Sequence, residues 1–156
     1  MSETPATKFL AQHGVQFTVH TYEYEERGGT KVSSQKLGVD EHEVIKTLVF
    51  EDETKTPLIV LMHGDRQVSA KSLARQIGVK SVQPCKPEVA QRHTGYQVGG
   101  TSPFGTKKEL KICCEKSITT LPRIFINAGG RGFLCSIAPS ELVRVLSPTL
   151  VECASV

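Results

Sequence analysis

The run Val44-Ile45-Lys46-Thr47-Leu48-Val49-Phe50 is apolar and rich in β-branched residues, with one lysine inside it. It predicts a strand, and side chains alternate faces along a strand, so Val44, Lys46, Leu48 and Phe50 share one face while Ile45, Thr47 and Val49 share the other. Lys46 therefore lies on an apolar face. An ammonium buried without a partner is costly, so such a lysine either snorkels to the strand's edge or opens into a polar cleft where its charge is used. The run alone leaves both readings open.

The polar stretch Glu51-Asp52-Glu53-Thr54 turns this strand into a second one, Pro57 to Met62, a β-hairpin pattern. Before it, Thr4-Pro5 caps and opens a helix that Gly14 ends. Val15 to Tyr24 reads as a strand with Tyr22 on its more polar face beside Thr18 and His20, and Ser33 to Leu37 as a short helix stopped by Gly38. After the hairpin, helices are expected from Ser69 to Ile77, from Pro87 to His93 and from Pro139 to Leu146. Strands are expected at Val79–Val82, Leu110–Cys114, Arg123–Asn127, Phe133–Ile137 and, as an edge, Leu150–Glu152. Helices and strands mix without strict β-α-β alternation, which favours α+β with a mixed sheet. At 156 residues the chain has the length of one domain, 1–156.

Several chemistries are poorly supplied. The five cysteines are odd in number and hold no C-x-x-C pair, so neither a disulfide framework nor a zinc knuckle is expected, and no cofactor or metal site is indicated. No window reaches the roughly 18 apolar residues of a membrane span, and the first residues lack the basic-then-apolar pattern of a signal peptide; the expectation is a cytoplasmic protein. Net charge is +3 but uneven: residues 64 to 116 carry ten bases against Asp65, Glu88, Glu109 and Glu115, a net +6. Such a block suits a phosphate-rich partner such as RNA, and equally suits solvated helix faces.

Two glycine-rich segments remain. Thr94 to Gly105 has four glycines and a proline in twelve residues, and Ala128-Gly129-Gly130-Arg131-Gly132 forms a second turn. The first is not a Walker loop, lacking G-K-[ST], and does not fit G-x-G-x-x-G. A loop of this kind lets a ligand approach main-chain groups closely, and it can also be no more than a pair of tight turns.

In chain order, the strand Val44-Ile45-Lys46-Thr47-Leu48, the loop Thr94-Gly95-Tyr96-Gln97-Val98-Gly99-Gly100-Thr101-Ser102-Pro103 and the turn Gly129-Gly130-Arg131-Gly132 resemble the YbaK/prolyl-tRNA-synthetase-associated domain family. Within it the chain is most similar to the free-standing Cys-tRNA(Pro) deacylases, over nearly its whole length to Leu146. The resemblance implies one α+β domain with a mixed, curled, partly barrel-like sheet flanked by helices. It also implies a trans-editing hydrolase that removes a wrong amino acid from the 3′-terminal adenosine of a transfer RNA. Editing is needed where one apolar pocket cannot reject a near-isostere, as when a proline synthetase accepts cysteine or alanine.

In such enzymes the cysteinyl thiol of the substrate attacks its own ester, and the protein supplies orientation and charge. The resemblance puts catalytic roles on Lys46 and Gly99 and substrate contacts on Tyr22, Gly100 and Pro103. The partners it implies are the acceptor end of an aminoacyl-tRNA and a prolyl-tRNA synthetase, with no DNA and no membrane. Two positions depart from the Cys-specific pattern: Asn127 stands where a serine is expected and Leu134 where an aspartate is expected. They are candidate specificity positions in the substrate site. They also keep open a deacylase for another small amino acid such as alanine, or a non-catalytic module that binds tRNA or a synthetase.

Overall fold

A computed structural model describes residues 3–156. In chain order the elements are α1 (Pro5–Gln12), β1 (Thr18–Thr21), α2 (Gly29–Leu37), β2 (Val44–Asp52), β3 (Pro57–His63), β4 (Gln67–Val68), α3 (Ala70–Ile77), β5 (Val82–Pro84), α4 (Pro87–Thr94), β6 (Lys111–Glu115), β7 (Ile124–Gly130), β8 (Phe133–Ile137), α5 (Pro139–Leu146), β9 (Thr149–Val151) and β10 (Ala154–Ser155). The strand that carries Lys46, β2, is the hub. The sheet runs β1-β8-β7-β2-β3-β6-β9, with β5 also joined to β2. Pairing is antiparallel for β1/β8, β8/β7 and β2/β3 and parallel for β7/β2, β3/β6 and β6/β9, so the sheet is mixed, as expected, and its ladder ends openly at β1 and β9.

The alternation read from β2 is realised. Ile45 and Val49 join Ile59, Leu61, Ile124 and Ile126 in a core covered by Ala6 and Leu10 of α1, Ala90 of α4 and Leu142 of α5. On the other face, Phe50 packs with Leu58, Val60 and Met62 beneath Leu73 and Ala74 of α3. Val44, further along that face, packs with Phe125 and Leu134 under Tyr22, Leu37 and Val39. Cys113 and Cys114 divide between the two faces, as neighbours in a strand must.

One irregularity positions the site. β2 pairs with β7 only at Val44↔Phe125 and Ile45↔Ile126, and on the same edge pairs with β5 only from Phe50↔Pro84 to Asp52↔Val82. Cys85 N–H donates to the Val49 carbonyl at 2.9 Å, which extends the β5 side by one bond. Between these two attachments the ladder has an opening at residues 46–48. β7 bends away there, with a register shift between Asn127 and Gly130 against β8, the mark of a β-bulge.

Some boundaries differ from expectation. β1 is confined to Thr18–Thr21 rather than Val15–Tyr24, because its partner β8 supplies pairs only from Phe133 to Ser136. α2 begins at Gly29, four residues before the expected Ser33. β5 falls at Val82–Pro84 instead of Val79–Val82, drawn along by its antiparallel partner at the end of β2. The two-stranded β4/β10 ribbon has no counterpart in the sequence reading. Among the described residues no helix is long and apolar enough to cross a membrane.

Candidate active site at the opening in the sheet

Lys46 is the first residue of β2 past the last β7 pair, and Asn127 is the first of β7 past the same pair. Strand alternation gives both the face of Val44 and Phe125, with Leu134 and His20 on the same face through the pairs Asn127↔Leu134 and His20↔Leu134, and β7 turns aside from β2 at this step. Lys46 is half-buried, and its ammonium donates to the main-chain carbonyl of Arg66. Burial lowers its pKa from the ordinary 10.5, opposed by the nearby carboxylates of Glu41 and Asp65. Among the described residues no carboxylate lies within ion-pair distance of it. Asp65 is engaged elsewhere: it accepts from His42 Nδ1 at 2.8 Å and from the Arg66 guanidinium at 3.0 Å. Burial opposes its ionisation, yet the His42 hydrogen bond with the His42 and Arg66 charges outweighs this and holds its carboxyl below the usual range.

The glycine loop reaches this place through Asn127. Its amide nitrogen donates to the Gly99 carbonyl at 3.2 Å and the Gly130 carbonyl at 3.0 Å, while its oxygen accepts from Gly129 N–H at 2.7 Å and Gly130 N–H at 3.1 Å. A side-chain amide offers two donors and an acceptor oxygen, so Asn127 has both hydrogens and its oxygen committed within the protein. A second strut runs from Arg131, whose Nε donates to the Val98 carbonyl at 2.9 Å and whose guanidinium lies 5.1 Å from the Tyr24 ring centre.

Gly99 is exposed at φ +90°, and a Cβ built there would overlap the Tyr24 hydroxyl. Gly100 is buried against the second turn; a Cβ would lie 2.9 Å from the Gly130 carbonyl carbon and 3.0 Å from Arg131 N. Glycine is thus required at 99 by conformation and at both positions by close approach.

The other sequence candidates are distributed unequally. Tyr22 is half-buried just beyond β1, and desolvation raises its phenol pKa, with the Ser33 hydroxyl opposing. Its face is not the polar one expected from Thr18 and His20, because Leu37 and Val39 at the end of α2 cover it together with Val44 and Leu134. Leu134 is 4% exposed, buried in that cluster with Val44 and Phe125. Pro103 is buried between Ser102 and Phe104, both fully buried, and Phe104 belongs to the core on the opposite face of the sheet. Lys46, Gly99, Gly100, Asn127, Leu134 and Tyr22 are therefore gathered around the opening, whereas Pro103 anchors the far end of the glycine loop.

Tyr24 and Arg131 escaped the sequence reading as members of this rim. Tyr24 follows Tyr22 in alternation and Arg131 sits within the second turn, but nothing local signals that Tyr24 lies against Gly99 or that Arg131 donates to Val98. Protein thiols are poorly suited to nucleophilic attack: burial pushes Cys85 up to about 11 and Cys114, Cys135 and Cys153 up to about 12. Among the described residues no group of three or more His, Cys, Asp or Glu side chains is gathered as a metal site would need.

Comparison with known proteins bears on the family and the fold. The profile of a family described as "Aminoacyl-tRNA editing domain" matches residues 26–145. The chain is 25% identical over 151 residues to an Enterococcus faecalis protein named "Putative Cys-tRNA(Pro)/Cys-tRNA(Cys) deacylase EbsC", covering 96% of this chain and 92% of that one. It is 23% identical over 105 residues to the proline–tRNA ligase of Limosilactobacillus fermentum, covering 65% of this chain but 18% of the ligase. Among solved structures, hypothetical protein APE2540 superposes with a TM-score of 0.88 at 19% identity, covering 97% of this chain and 99% of its own. The structure described as "a putative trans-editing enzyme for prolyl tRNA synthetase" superposes at 0.85 with 18% identity over the whole of both chains. At these identities the structural likenesses speak to the fold.

Proposed function

The chain belongs to the aminoacyl-tRNA editing domain family, and from that premise we propose that it is a cytoplasmic trans-editing deacylase which hydrolyses the 3′-aminoacyl ester of a mischarged transfer RNA, with Cys-tRNA(Pro) as its substrate. The observation that carries the reading is the opening in the sheet. There, a half-buried ammonium that among the described residues has no carboxylate within 4.0 Å lies on the edge of β2 that β7 leaves, and Asn127, at the bend of β7, holds the glycine loop.

In this reading Lys46 holds the terminal nucleotide or stabilises negative charge developing at the ester, as an oriented cation in a partly desolvated site can. The main chain at Gly99 orients the aminoacyl end, and Gly100 fixes the loop at that position. Tyr22, Asn127 and Leu134 shape the cleft, and Pro103 holds the loop from behind. The nucleophile comes from the substrate. Its cysteinyl sulfur forms a bond to its own carbonyl carbon as the carbon–oxygen ester bond breaks, and the proton lost by the thiol ends on the released ribose hydroxyl. Water then opens the resulting thiolactone to free cysteine. The raised thiol pKa values of Cys85, Cys114, Cys135 and Cys153 fit a protein that supplies no thiolate of its own. No cofactor takes part in this scheme.

The likeness to the E. faecalis protein favours cysteine as the amino acid removed, and the ligases that share the domain favour prolyl-tRNA synthetase as the enzyme whose errors are corrected. A second reading, a binding module without turnover, is favoured by Leu134, which places no ionisable group where the Cys-specific pattern has one. Incubating the protein with a panel of labelled aminoacyl-tRNAs separates the two. Turnover of Cys-tRNA(Pro) that Lys46→Ala abolishes while the fold persists is the expected result. Binding with no turnover of any member of the panel would replace the deacylase by the module, and turnover confined to Ala-tRNA(Pro) would change the amino acid assigned.

A further inference from the structure

Beyond the opening at Lys46, the same face of the sheet carries a second feature. A groove of about 470 Å³ runs between α3 and the approach to β5, floored by Ala70, Ala74 and Val82 and edged by Lys71, Arg75 and Lys80. Lys71 and Arg75 lie one helical turn apart on α3, and Lys80 follows the Gly78 cap that ends it. All three are exposed, and among the described residues none is within ion-pair distance of a carboxylate. Glu53, at the β5 end, is occupied in accepting the main-chain N–H groups of Lys80 and Ser81 at 3.1 and 3.3 Å. Three unpaired cations along one shallow channel make a track for a polyanion, because each phosphate they neutralise releases counterions.

The groove is also placed at a meaningful distance from Lys46. Lys46, Leu48 and Phe50 share one face of β2, and α3 packs on that face over Phe50. Val82, in the groove floor, pairs with Asp52, six residues along β2 from Lys46. At about 3.3 Å per residue this is roughly 20 Å. The four unpaired nucleotides at the 3′ end of a transfer RNA span roughly 14 Å when stacked at ~3.4 Å each, and more when extended. A tRNA whose terminal adenosine sits at Lys46 thus has its first base-paired phosphates near the groove.

We propose that the groove between α3 and β5 receives the phosphate backbone of the substrate's acceptor stem through Lys71, Arg75 and Lys80. This rests on the deacylase reading for the position of the RNA's end. The contact is sequence-blind: it holds the stem and leaves the chemistry to the opening.

The test uses the triple variant Lys71→Gln, Arg75→Gln, Lys80→Gln, whose changes are all at exposed positions. Three probes are used: Cys-tRNA(Pro), the cysteinyl ester of the trinucleotide CCA, and uncharged tRNA(Pro). We expect the variant to bind uncharged tRNA(Pro) on the order of 10- to 100-fold more weakly at low salt. The slope of log affinity against log salt should shrink by about 2 to 3, close to one per lost phosphate contact. KM for Cys-tRNA(Pro) should rise in parallel while turnover of the CCA ester stays at the wild-type rate. An unchanged tRNA affinity and salt slope would overturn the proposal. So would an equal loss on the CCA ester, which has no stem, and so would unchanged tRNA binding with lost binding of prolyl-tRNA synthetase, which would make the groove a protein-docking surface. If the wild type hydrolyses neither ester, the deacylase reading fails, and the binding of uncharged tRNA(Pro) still decides the role of the groove.

Discussion

Substituting Gly99 by alanine tests how the glycine loop is held, because two separable costs meet at that residue. The first is conformational: φ is +90°, where a Cβ costs roughly 1–2 kcal/mol. The second is steric. The new methyl would overlap the Tyr24 hydroxyl and lie 3.0 and 3.2 Å from two ring carbons, so the ring must swing away. That gives up its contact with the Arg131 guanidinium, worth about 0.5–1 kcal/mol at an exposed site. Together these predict a loss of about 1.5–3 kcal/mol, which lowers the urea midpoint by roughly 1 M for an m-value of about 2 kcal/mol/M. A double-mutant cycle with Tyr24→Ala separates the costs. In that background only the backbone strain remains, so a coupling of about 1 kcal/mol is expected. Because the Gly99 carbonyl is the acceptor of Asn127, its displacement should also cut deacylation, on the order of 10²-fold for an ångström of misplacement. A Gly99→Ala protein with the wild-type midpoint, or a cycle without coupling, would refute the reasoning, since neither strain nor the Tyr24 contact would then hold the loop.

Three further outcomes follow from the same geometry. Lys46→Met should abolish deacylation while leaving stability equal to or above wild type at neutral pH. Burial lowers the lysine's folded pKa below the unfolded 10.5, so the charged form opposes folding; the wild type should recover relative to the variant as pH rises toward 10.5 in urea titrations. Asn127→Ala removes four hydrogen bonds and should cost about 2–3 kcal/mol in denaturant unfolding, with faster amide exchange at Gly129 and Gly130, which would be left without their acceptor. His63 is 1% exposed, and burial lowers its pKa from 6.5, so its neutral ring contributes stability that is present above 6.5 and is lost as pH falls through the folded value; thermal melts from pH 7.5 to 5 should show this loss reduced in His63→Asn.

Features fixed by local pattern were legible in the sequence. The alternation in β2 gave both cores their residues, and β8 and α5 fall at Phe133–Ile137 and Pro139–Leu146 as read, the latter opened by Pro139. What the pattern could not carry was partner length and cover. Nothing within Val15–Tyr24 tells that β8 will supply only four pairs, and nothing around Thr18 and His20 tells that Leu37 and Val39 will roof that face. The pairings of β2 with β5 and β7 join residues thirty or more positions apart, so the opening at residues 46–48 has no local trace. The family resemblance singled out Lys46 and Gly99, and Asn127 as a departure from it, without telling that Asn127 would hold the Gly99 carbonyl. Pro103, marked with them, proves to be a buried anchor, and Tyr24, unmarked, lies against Gly99.

The half-burial of Lys46 is explained by the way β7 leaves β2. Were the parallel ladder to continue, Asn127 would stand in register beside Lys46 and the edge of β2 would be sealed through to β5. The register shift between Asn127 and Gly130 turns β7 aside, and the Asn127 side-chain oxygen, Oδ1, accepts the N–H groups of Gly129 and Gly130 within that bulge. The same side chain uses its nitrogen to hold Gly99. One amide therefore fastens the bend that opens the sheet and frames the opening with the glycine loop. With its hydrogens and oxygen so committed, Asn127 fixes where the Gly99 carbonyl lies, so under the proposed function a change at 127 should act on substrate choice through the position of the loop.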